Sequence, residues 1–124
     1  MSNNNLKPAT TYPAIVGRIL VSLRKNAGIG QDQLAEAIGI TQSTLSRVER
    51  GESALTVEQL ARAAQRLGDK ASNILEKADD AVEELNSQGI NVQYERARSG
   101  VDTGLVLIGA AALGALIAVV LSKK

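Results

Sequence analysis

The chain has 124 residues, 44% hydrophobic and 22% charged, with 14 Lys and Arg against 13 Asp and Glu for a formal net charge of +1. That length admits one compact domain with appendages. There is no Cys and no His, which excludes disulfides, thiol nucleophiles, imidazole acid–base chemistry and nearly every zinc site, and no carboxylate dyad or Ser/Lys pair stands at a distinctive spacing, so no enzyme, cofactor or metal is expected.

The charges are unevenly spread. Residues 14–68 carry seven basic against five acidic groups, whereas 69–103 carry four against eight, and the tail ends in Lys123 and Lys124. The front part is mildly basic and the stretch behind it acidic. Residues 1–13, "MSNNNLKPATTYP", hold no apolar run of signal-peptide length and read as a flexible segment.

From Ala14 to Ala27 the apolar positions Val16, Leu20, Leu23 and Ala27 recur at three and four, which predicts a helix laid on a core and stopped by Gly28. A second helix is expected over Gln31 to Ile38, burying Leu34, Ala35 and Ile38, with Gly39 ending it. Thr41 then caps a third, in which Leu45 and Val48 face inward and Gln42, Ser43, Ser46, Arg47 and Arg50 face outward until Gly51. A fourth opens with the capping-box spacing Thr56 to Gln59 and buries Leu60, Ala63, Ala64 and Leu67 before Gly68. Two short helices joined by a tight Gly turn, the second polar and positive outside, predict a helix-turn-helix.

The stretch "VGRILVSLRKNAGIGQDQLAEAIGITQSTLSRVERGESALTVEQLARAAQRLG" resembles the Cro and phage-repressor (XRE) family, over about Val16 to Leu75. The resemblance implies that Arg24 pairs with Glu49, that Gln31 contacts phosphate, that Gln42, Ser43 and Arg47 reach base edges, and that Arg50 lies near the DNA backbone. With Thr41 and Ser46 on the same face, the candidate DNA-binding set is Gln31, Thr41, Gln42, Ser43, Ser46, Arg47 and Arg50. The side-chain chemistry agrees: Gln matches adenine N6 and N7, and Arg matches guanine O6 and N7, each pairing being worth about 1–3 kcal/mol of discrimination. Two departures stand out. Gly30 replaces the Ser or Thr that commonly caps the second helix. Ile19 and Val21 occupy positions usually polar in the family and, with Ile15, enlarge the apolar surface of the first helix. Either a partner or a covering segment of the same chain, the connector helix or the stretch around Tyr12, can account for that surface.

"ASNILEKADDAVEELNSQG" is predicted as one helix with Ile74, Ala78, Ala81 and Leu85 as its stripe and an acidic back. It can close on its own domain or on its twin; dimerisation is favoured, since the family commonly reads two half-sites. "INVQYE" alternates apolar and polar residues but is read as an extended linker in preference to a strand paired with a second copy, and "RARSGVDTG" as flexible.

Thr103 to Ser122 is a run of 20 uncharged residues, long enough as a helix to span the roughly 30 Å of a bilayer core. Ala110, Gly114 and Ala118 would give it a small-residue face for helix pairing. The flanking charges, Arg96 and Arg98 against Lys123 and Lys124, do not set its orientation; a DNA-binding front domain would.

The expected fold class is therefore all-α: a four- to five-helix repressor-like domain over 14–76, an acidic connector over 77–102 and a transmembrane helix over 103–122. The expected function is a membrane-tethered, sequence-specific transcriptional regulator. It would act as a homodimer on double-stranded DNA, anchored in the cytoplasmic membrane with its N-terminal domain in the cytoplasm. The competing reading is a membrane-anchored adaptor that uses the helix-turn-helix to dock a cytoskeletal protein.

Overall fold

Residues 7–96 and 105–122 are described by the computed structural model. Strand β1 (Lys7–Thr11) runs directly into α1 (Tyr12–Asn26), followed by α2 (Gln31–Ile38), α3 (Gln42–Glu49), α4 (Val57–Arg66), α5 (Ala71–Ser87), β2 (Asn91–Gln93), β3 (Leu105–Leu107) and α6 (Ala110–Ser122).

The helix boundaries follow local chemistry. Thr11 caps α1 by accepting from the Ala14 amide at 3.1 Å, and Pro13 sits in the first turn, where a backbone N–H has no helical partner to lose. Thr41 caps α3, and Thr56 with Gln59 forms the predicted capping box on α4. Gly30 leaves α2 without a side-chain cap, but its amide donates to Gln33 Oε1 at 2.8 Å. Gly39 ends α2 at φ 87°, a left-handed conformation that a residue without a Cβ adopts at little cost.

The core takes Leu34, Ala35 and Ile38 from α2, Leu45 and Val48 from α3, and Ile74, Ala78, Ala81 and Leu85 from α5, as the spacing predicts; of the α4 stripe Ala63 and Ala64 are buried and Leu60 and Leu67 only partly. In α1 the phase differs. Ile15, Ile19 and Leu20 are fully buried, Val16 and Leu23 only partly, and Ala27 is exposed. The reason is that α1 is surrounded by α3, α5 and α6 and buries more of its circumference than one stripe. The apolar surface of Ile15 and Ile19 is thus covered from within the chain, by α5 and the C-terminal helix. The α5 stripe likewise closes on its own domain, so it is not available as the seam of a dimer, and a boundary at residue 76 would cut α5 in two.

The all-α expectation is corrected by a three-stranded parallel sheet in the order β2-β1-β3. β1, expected to be flexible, is its central strand: Ala9 to Thr11 pair with Asn91 to Gln93, and Lys7 to Ala9 with Leu105 to Leu107. "INVQYE" does form a strand, and its partner is the chain's own N-terminal segment. Pro8 is tolerated because Ala9 O faces β3, accepting from the Ile108 amide at 2.8 Å, so the neighbouring Pro8 points to the other side, where β2 has not yet begun.

The predicted spanning helix is corrected as well. Its first part becomes β3, and α6 has 13 residues, about 20 Å of rise against the roughly 30 Å of a bilayer core. No described helix is long and apolar enough to cross a membrane. Leu113, Ile117 and Val120 of α6 are buried against α1 and α5. Of the small-residue face, Gly114 lies against Arg18 of α1, while Ala110 and Ala118 are exposed. The stretch read as flexible, Arg96 to Gly104, lies outside the described residues except for Arg96, as do residues 1–6, Lys123 and Lys124.

Candidate nucleic-acid interface

α3 is rooted by Leu45 and Val48 and by a buried ion pair. Arg24 of α1 meets Glu49 in a two-pronged contact, Nε to Oε2 at 2.8 Å and Nη2 to Oε1 at 3.0 Å, and its third nitrogen donates to Ile29 O at 3.1 Å. Glu49 is 3% exposed, so these hydrogen bonds replace the water it has lost. The pairing of first and third helices implied by the resemblance is present.

From this pair a chain of contacts runs outward. Gln31, first residue of α2, donates from Nε2 to Glu49 Oε1 at 2.7 Å, and Gln42, first residue of α3, donates to Gln31 Oε1 at 3.4 Å. The amide of Gln42 is thereby steadied at one end while the side chain stays exposed. At the other end of α3, Arg18 donates from Nε and Nη2 to Glu49 O at 3.1 and 2.6 Å. A guanidinium at a helix C-terminus satisfies an open carbonyl and opposes the negative end of the dipole. Burial pulls the Arg18 pKa down, an effect opposed by the nearby Glu49 carboxylate and reinforced by Arg24. Arg18 is a residue that sequence reasoning missed. Its partner is a backbone carbonyl 31 positions away, which leaves no trace in side-chain spacing.

The remaining candidates divide in two. Thr41, Gln42 and Ser43 are exposed at the start of α3, and Arg47 is exposed in its last turn. Thr41 is also structural, because its hydroxyl accepts from the Thr44 amide at 3.1 Å and lies 2.8 Å from the Thr44 hydroxyl. Arg47 touches only Thr44 Oγ1 at 3.3 Å and is otherwise extended toward solvent. Ser46 and Arg50, one turn apart, are tied to each other at 2.6 Å, and Arg50 forms an ion pair with Glu52 at 3.0 Å. That carboxylate makes Arg50 more basic, and the hydrogen bond from Arg50 in turn holds Glu52 below the ordinary carboxylate range.

Two helices at a tight left-handed glycine turn, the second projecting Gln, Ser and Arg from a buried ionic root, define a helix-turn-helix domain. The comparisons agree. A family model described as helix-turn-helix matches residues 20–70. Two solved structures of the clp gene regulator ClgR from Corynebacterium glutamicum are similar to the chain. One is 28% identical with a TM-score of 0.59, covering 62% of this chain and 82% of that one; the other is 31% identical with a TM-score of 0.52, covering 55% and 87%. No curated protein matched in sequence. The chain belongs to the XRE-type helix-turn-helix family.

Proposed function

We propose that the chain is a sequence-specific DNA-binding transcription regulator that lays α3 in the major groove. The observation that carries this reading is the Glu49–Gln31–Gln42 relay, which fixes the exposed start of α3 with two amides at its entrance. Helix-turn-helix readers touch base edges with this end of the second helix. In this reading Gln42, Ser43 and Arg47 read bases, while Gln31, Thr41, Ser46 and Arg50 lie along phosphates. The family match and the likeness to a clp gene regulator support a regulatory role. The protein acts as a homodimer, because one α3 with three or four base contacts binds weakly and paired half-sites supply the rest.

The test is a binding assay on genomic duplex fragments at low salt. Wild type should select particular fragments, and Gln42→Ala with Arg47→Ala should abolish that selection while leaving weak, salt-sensitive binding. If the wild-type chain binds no duplex at all, the adaptor reading, with the same face docking a protein, takes its place.

A further inference from the structure

Beyond the α2–α3 unit, α4 carries two guanidinium groups that the fold leaves unused. Arg62 and Arg66 stand one turn apart on the exposed side of α4 and, with Gln65 of the same helix and Ala37 of α2, line an open cleft between the two helices. No carboxylate among the described residues forms an ion pair with either. Every other described Arg between 14 and 68 has a hydrogen-bonded partner: Arg18 and Arg24 bond to Glu49, Arg47 to Thr44, and Arg50 to Glu52. Two guanidinium groups one turn apart, with no carboxylate of the described chain on either, are free to meet a ligand of opposite sign.

The position of Arg62 indicates which ligand. Its Nη1 lies 3.7 Å from where a Cβ on Gly39 would stand. Gly39 is the turn residue two positions before Thr41, the cap of α3. The guanidinium of Arg62 is therefore packed against the turn that delivers α3 to the groove, and Arg66 continues the positive strip along α4, since residues four apart share a helix face. A helix lying in the major groove is flanked by the phosphates of both strands, and side chains beside its entry end meet one of those backbones.

We infer that Arg62 and Arg66 form a phosphate clamp on DNA, extending the interface from α3 onto α4. The clamp rests on the DNA-binding reading above. It carries no sequence information; it sets how strongly, and at what salt, the domain holds any duplex.

Non-specific binding measures this directly and needs no known operator. Wild type, Arg62→Ala, Arg66→Ala, the double variant and Arg62→Lys are titrated with one mixed-sequence duplex at several salt concentrations, and each melting temperature is recorded. The slope of log affinity against log salt should shrink by about one per guanidinium removed, so a fourfold rise in salt weakens each single alanine variant about fourfold less than wild type. Arg62→Lys should keep the wild-type slope, and melting temperatures should be unchanged or higher, because Ala favours a helix. A wild type that binds with a slope the alanine variants share overturns the clamp and leaves the DNA reading standing. Weaker binding with an unaltered slope and a lowered melting temperature assigns the two residues to folding, and also overturns it. A wild type that binds no duplex removes the DNA reading and the clamp together.

Discussion

Glu49 holds three things at once: Arg24 through both carboxylate oxygens, the Gln31 amide, and, through its own carbonyl, Arg18. Glu49→Ala would strand a buried guanidinium, and removal of one partner of a buried pair costs about 3–5 kcal/mol. The expected result in chemical denaturation is a large loss of stability, whereas Glu52→Ala, whose carboxylate pairs with Arg50 in full solvent, should leave the midpoint where it is. Equal midpoints would contradict the central place given to Glu49. Glu52 bears on function instead. It occupies the guanidinium that is expected to face phosphate, and it adds a negative charge beside α3. Glu52→Gln should therefore raise affinity for duplex DNA several-fold at low salt, and a titration showing weaker binding would remove Arg50 from the interface.

Among the elements, α1 and α3 meet at a glycine. A Cβ on Gly17 would collide with the carbonyls of Val48 and Glu49, both backbone atoms that cannot swing aside. Gly17→Ala should force the helices apart, at an overpacking cost of about 1–3 kcal/mol that outweighs the gain in helix propensity. Gly114→Ala is the counterpart: its Cβ would sit 3.6 Å from the flexible Arg18 side chain, an ordinary contact, so the propensity gain should raise the melting temperature. At the start of α5, Asp69 accepts from the Asn73 side chain at 2.9 Å and from the Lys70 amide at 2.8 Å, with Lys77 at 3.4 Å. These hydrogen bonds, the Asn73 bond first, hold its pKa below the ordinary value. A folded-state pKa lower than the unfolded one means that the ionised carboxylate stabilises the fold fully above about pH 3.9 and loses that effect as pH falls through the lower folded value. Asp69→Asn should flatten that part of the acid limb in a plot of melting temperature against pH.

For the whole molecule, the decisive feature is that both ends of the described chain are built into one core. β1 lies between β2 and β3, and α6 seals Ile15 and Ile19 together with α5. Tyr12 fastens the same corner, donating to Asp79 at 2.7 Å and stacking on Tyr94 at a ring separation of 5.3 Å. Burial, then the Asp79 bond, raises the Tyr12 pKa well above its usual value. A detachable tail would leave the domain's stability untouched when removed. Here, truncation after Asp102 removes the buried Leu113, Ile117 and Val120, at about 1.5–3 kcal/mol for each apolar side chain returned to water. The truncated chain should melt well below the full one, and identical melting curves would mean that α6 is no part of the core.

The helices from α2 to α5, the caps of α3 and α4 and the inward face of α3 were legible in the sequence because each rests on local spacing. Capping hydroxyls lie three residues from their amides, and apolar stripes repeat at three and four whatever they pack against. The resemblance to the XRE family placed the long-range ion pair of Arg24 and Glu49. What lay beyond local spacing was decided in three dimensions. "KPATT" carries no strand periodicity, and β1 exists only because two segments, more than 80 residues away in sequence, supply its hydrogen bonds. The tail reads as a spanning helix because it is apolar all round, but periodicity alone cannot separate lipid from a protein surface as the apolar neighbour. The Ile15 and Ile19 side of α1 provides that surface, and β1 takes Leu105 to Leu107 as a strand, which shortens the helix that remains. Amphipathic pattern thus determined which faces had to be buried, and only tertiary packing decided against what.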